Sequence, residues 1–173
     1  MNLGLLVLST AGLAVGLLTG CTKPGLQGQT YHDDDVAFRV GPIPAHWRSV
    51  DPGVSDDTIA ALAFRSDASR ATIGVTGRCR KDGDDVPLRS LTQHLYIGFT
   101  QRELQKEELF QLDHREALRT EMSAALDGVE QQMVFVVLKK DGCVYDFWRI
   151  SDLLRAATPE FDAFVNGFQA MDP

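Results

Sequence analysis

The chain has 173 residues with 17 basic and 24 acidic side chains, a formal net charge of −7 and a pI near 5.0. That length suits one domain with a sizeable core, which needs no metal or dense disulfide framework to fold. The acidic balance excludes a basic surface for nucleic-acid phosphates, and anionic lipid headgroups would repel it.

Residues 1–20 carry no charge, and the apolar run from Leu3 closes in Leu18-Thr19-Gly20-Cys21. Small residues before a cysteine suit a signal peptidase, so the run reads as a bacterial lipoprotein signal ending in a lipobox. Cleavage between Gly20 and Cys21 would make Cys21 the lipid-bearing first residue of the mature chain. A membrane-spanning helix or plain secretory signal is the competing reading, at about the lower length limit of 18 residues for a span. No Lys or Arg precedes the run. Either the α-amino group supplies the positive charge or translation starts upstream. Removing residues 1–20 leaves 153 of the 173 residues, and all the charge stays with them.

The three cysteines then divide unequally. Acylation consumes Cys21, and Cys79 and Cys143 remain as an even pair. In an oxidising envelope they are expected to form a disulfide, contributing on the order of 4 kcal/mol in the chain-entropy model. Two unrelated buried thiols are the alternative.

Residues 21–30 read as a polar, Gly-rich tether, and residues 31–173 as the folded domain. Val36–Val40 is a first strand, stopped by Gly41-Pro42 and Pro44. Trp47 follows in a loop. It is the candidate groove aromatic, with hydrophobic closure of the sheet end as its structural alternative. Ile59–Phe64 and Ala71–Cys79 read as further strands, separated by the turn at 66–69. Leu88, Leu91, Leu95 and Phe99 are spaced three or four apart, which predicts an amphipathic helix over 88–104, with Pro87 in its first turn. Strands near 117–125, 129–139 and 143–150 complete the sheet.

Asp141-Gly142 is a two-residue hairpin signal, because both turn positions need positive φ. The register it sets opposes Leu138 to Tyr145 and Val136 to Phe147 on one face. On the other it opposes Phe135 to Trp148 and Met133 to Ile150. Both faces are apolar, so both require cover. Thr158-Pro159-Glu160 opens a terminal helix with a stripe of Phe161, Phe164, Val165 and Phe168. Two helices and a two-faced, mostly antiparallel sheet predict a three-layer α/β/α sandwich of the α+β type.

The prolines between Phe38 and Trp47, the helix after Leu88, the hairpin with Tyr145 and the terminal helix ending in Phe168 resemble the PsbP-like family over roughly residues 30–170. That family includes envelope lipoproteins of the DcrB type. The resemblance implies a binding or assembly role without a shared active site.

No chemistry-bearing motif competes with that expectation. His32-Asp33-Asp34-Asp35 sits on extended chain whose side chains alternate, so it cannot converge on one metal ion. Asp82-Gly83-Asp84-Asp85 lacks the closing glutamate of a calcium loop. His46, His94 and His114 have no zinc-site spacing. There is no nucleophile elbow, redox C-x-x-C or phosphate-cradling loop. The expected function is therefore a non-enzymatic binding or assembly module. It has no cofactor, a membrane attachment through its lipid, and an unidentified envelope protein as partner. A small-ligand carrier or enzyme with a pocket between sheet and helix is the rival. Thr22, in place of the aspartate associated with inner-membrane retention, points to the periplasmic side of a Gram-negative outer membrane.

Overall fold

The computed structural model describes residues 25–54, 59–79, 85–153 and 159–173. The apolar run at 3–20, Gly20, Cys21, Thr22, Asp82-Gly83-Asp84 and Thr158 lie outside the described residues.

The strands are β1 (Gly25–Gln27), β2 (Thr30–His32), β3 (Ala37–Arg39), β4 (Arg48–Val50), β5 (Ala60–Ser66) and β6 (Ala71–Cys79). Helix α1 (Leu88–His94) is followed by β7 (Thr100–Leu112), β8 (Arg115–Leu126), β9 (Val129–Lys140) and β10 (Cys143–Asp152). Helix α2 (Pro159–Asn166) and β11 (Gln169–Met171) complete the described chain. Among the described residues these strands form two antiparallel sheets, a large one in the order β4-β5-β6-β10-β9-β8-β7 and a small one in the order β1-β2-β3-β11. The fold is α+β.

The large sheet is organised around β9 and β10, whose register is the one the Asp141-Gly142 turn dictates. Leu138 faces Tyr145, Val136 faces Phe147, Phe135 faces Trp148 and Met133 faces Ile150. The turn residues take φ of 53° and 74°, the left-handed pair required by a tight hairpin of the strand twist's own hand. One face of the sheet buries Val134, Val136, Leu138, Tyr145 and Phe147 beneath Phe161, Phe164 and Val165 of α2, Phe168, and Phe38 of the small sheet. On the other face Leu91 of α1 packs on Val137 and Val144, while Leu95, Tyr96 and Phe99 cover Met122, Met133 and Phe135.

Three sequence expectations are corrected. Helix α1 stops at His94, and most of the remainder of 88–104 is a turn running into β7. The apolar spacing persists because Leu95 and Phe99 still pack on the sheet as the chain turns. Part of the tether at 21–30 is also structured: Gly25–Gln27 pairs with Thr30–His32 as a hairpin, and Leu26 packs against the core. Phe168 belongs to the stripe's core cluster but follows the end of α2 and leads into β11.

Candidate functional site

Cys79 ends β6, and Cys143 opens β10 directly opposite it in the ladder. The two are joined as a disulfide with their Cα atoms 4.0 Å apart. The strand pairing itself therefore brings the sulfurs together.

The bridge lines a groove of about 690 Å³. One wall is the β9–β10 turn, Lys140-Asp141-Gly142, and the other is formed by Asp35–Ala37 with Ala170 and Met171 of the small sheet. Asp35, Asp141, Gly142 and Met171 are exposed, so it is a surface groove. Tyr145, also in its lining, is fully buried beside Phe38 and Phe168. Burial first, and then the carboxylates of Asp141 and Asp113, push its hydroxyl up to about 12. A phenol that reluctant to ionise at neutral pH is suited to hydrogen bonding and packing.

The two sheets are pinned together beside this groove. Asp113 occupies the β7–β8 turn at φ 46°, and its carboxylate accepts the Ala170 backbone N–H at 2.8 Å. The same oxygen pairs with Lys140 Nζ at 2.7 Å, and Lys140 also donates to the Asp113 carbonyl at 2.9 Å. Both side chains of the pair are mostly shielded from solvent. One aspartate thus holds β11, the β9 end and the β7–β8 turn. Nothing in the sequence pattern marked Asp113 or Lys140.

A second groove, of about 520 Å³, lies between the β7–β8 edge and α2. Arg119 bridges it, donating from Nε to Glu121 at 2.9 Å and from Nη1 to Asp162 at 2.8 Å.

The structure places the remaining sequence candidates as follows. Trp47 lies in the loop before β4, 8% exposed, and lines a small cavity with Ser69 and Arg149. The His46 ring sits 6.4 Å from that of Trp47. Trp148 faces Phe135 and packs half-buried in the α1-side cluster. Asp33 accepts hydrogen bonds from the Tyr31 hydroxyl and from the backbone N–H groups of Asp35 and Val36, so it closes a turn. His94 ends α1, and His114 lies in the β7–β8 turn. Among the described residues, no three His, Cys, Asp or Glu side chains are grouped as metal ligands would be.

Sequence reasoning overlooked Asp146. Its carboxyl is fully buried on β10 and paired with Arg78 of β6, and its Oδ1 has no hydrogen-bond partner. Burial outweighs the Arg78 charge and holds the carboxyl above its ordinary value.

No protein-family model matches the sequence, and no curated protein matches it. Solved structures do. A cyanobacterial PsbP, CyanoP of Synechocystis, superposes with a TM-score of 0.56 at 18% identity, covering 89% of this chain and 99% of its own. A protein of Bacteroides thetaiotaomicron gives 0.58 at 8% identity over 85% of this chain, which spans half the length of that protein. LpqN of Mycobacterium tuberculosis, described as involved in cell envelope biogenesis, gives 0.49 at 11% identity, covering 82% of this chain and 88% of its own. At such identities the likeness to CyanoP shows a PsbP-like fold and leaves function to the site itself.

Proposed function

We propose that this protein is a lipid-anchored module of the bacterial envelope that binds another envelope component through the groove beside Cys79 and Cys143, without catalysing a reaction. The observation that carries this is the cross-strand disulfide in the groove lining. Such bonds persist in oxidising compartments and are rare in a reducing cytosol. An oxidising address agrees with the lipobox reading of Leu18–Cys21. On that reading Cys21 carries the lipid, and Thr22 directs the protein to the periplasmic side of a Gram-negative outer membrane. The architecture counts as a three-layer α/β/α sandwich, with the small sheet sharing the α2 layer.

The groove offers apolar surface at Val36, Ala37 and Met171 beside charge at Asp35, Lys140, Asp141 and Asp172. Mixed apolar and polar lining on a rigid frame suits a protein segment. The Asp113 pin and the disulfide make that frame rigid on both sides.

Site-specific photo-crosslinking in living cells tests the reading. A crosslinker at Asp141 or at Met171 should capture the same envelope protein, and one at Gln101 on the far edge strand should not. No adduct, or one pattern from all three positions, would contradict it.

A further inference from the structure

We infer that the cavity between Trp47 and the start of α2 is a binding site for a small monocarboxylate. This goes beyond the groove reading and does not depend on it. The cavity holds about 170 Å³ and is lined by Trp47, Ser69, Ala71, Arg149, Glu160 and Phe161, with Pro159. Three separate stretches of chain meet there: the loop before β4, the β5–β6 turn with the start of β6, and the end of β10 facing the first turn of α2.

Two side-chain donors in this lining are buried without a hydrogen-bond partner, Trp47 Nε1–H and Ser69 Oγ–H. An indole N–H can only donate, so its complement must be an acceptor. Buried donors of this kind are scarce in native proteins because each carries a desolvation cost. Two lining one cavity point to an acceptor-rich occupant. Arg149, also in the lining and only 4% exposed, supplies positive charge. Its guanidinium geometry matches the two oxygens of a carboxylate.

The neighbouring charges limit the occupant to one negative charge. Glu160 and Asp162 act on Arg149 from α2, and Arg119 adds a second positive charge nearby. Glu160 is partly exposed, so solvent screens it more than the buried Arg149. A monoanion gains from Arg149, whereas a dianion such as phosphate meets the added repulsion of Glu160. Size agrees: the space equals only a few water volumes of about 30 Å³ each. Ala71 and Phe161 offer apolar wall for a short alkyl chain.

The chain holds two tryptophans, so two indole N–H signals report in a nitrogen-15 NMR spectrum of the purified full-length protein. Acetate and propionate are titrated at constant pH and ionic strength, with acetamide and inorganic phosphate in parallel. The expected result is a saturable shift of the Trp47 indole signal with the two carboxylates, while that of Trp148 stays in place. Ser69→Ala removes no hydrogen bond made by the Ser69 side chain, so the fold should be retained while carboxylate binding weakens about tenfold. No saturable Trp47 shift, acetamide or phosphate binding as tightly as acetate, or unchanged affinity in Ser69→Ala would each overturn the assignment.

Discussion

Gly41 and Ala163 stand so close that a Cβ on Gly41 would lie 1.9 Å from the Ala163 carbonyl oxygen. The approach is fixed by the Gly41 backbone N–H, which donates to the Phe164 carbonyl at 2.8 Å. It ties the loop after β3 to α2 and so brings the small sheet and α2 together over one face of the large sheet.

Gly41→Ala should therefore be severely destabilising, by about 3 kcal/mol or more, because backbone rather than a flexible side chain must move. Gly98→Ala is the control. A Cβ there meets nothing within 4 Å, so its effect should stay within about 0.5 kcal/mol. Urea unfolding of the two variants measures the difference. Equal stabilities would contradict the close approach.

The bridge between Cys79 and Cys143 spans a sequence separation of 64. Closing a loop of that length stabilises by about 4 kcal/mol in the chain-entropy model. The double substitution Cys79→Ser with Cys143→Ser should lower the unfolding free energy by that order. Reductant should destabilise the wild-type protein similarly and leave the double variant unaffected.

Asp113→Ala removes the acceptor of the Ala170 N–H and the partner of Lys140. Loss of this mostly buried, charge-assisted junction should cost about 1–3 kcal/mol. The local signature is sharper than the global one. Hydrogen exchange at the Ala170 amide should accelerate well beyond that of β10 amides, and uniform acceleration across the sheet would count against the pin.

Asp146 has a carboxyl held above its ordinary value of 3.8, by burial first and against the opposing effect of Arg78. For an acid whose folded value is raised, the stabilisation is complete below the unfolded value and is lost as pH rises through the folded one. The stability difference between wild type and Asp146→Asn should therefore move against the wild type as pH rises from about 4. A difference moving the other way would show that Arg78 outweighs burial.

The parts of the fold legible in sequence are those where local chemistry and burial agree. Asp141-Gly142 set the β9–β10 register because its turn admits one pairing and both strand faces are apolar. Cys79 and Cys143 could be paired by counting. β7 was hidden because an edge strand is protected by charge, here Arg102, Glu103, Lys106, Glu107 and Glu108, and so resembles a loop. β1, β2 and β11 have three residues each, too few to show a period of two. The Trp47, Ser69 and Arg149 cavity and the Asp113 junction had no signal at all. Their members are far apart in the chain and meet only through turns.

The central claim is that this domain works from a lipid anchor on the oxidising side of a membrane. Intact-mass analysis of the protein isolated from cells, alkylated while unfolded and without reductant, tests it most directly. The account predicts a chain that begins at an acylated Cys21, lacks residues 1–20 and carries no alkyl group on Cys79 or Cys143. A chain that retains residues 1–20, or one with both thiols alkylated, would contradict it.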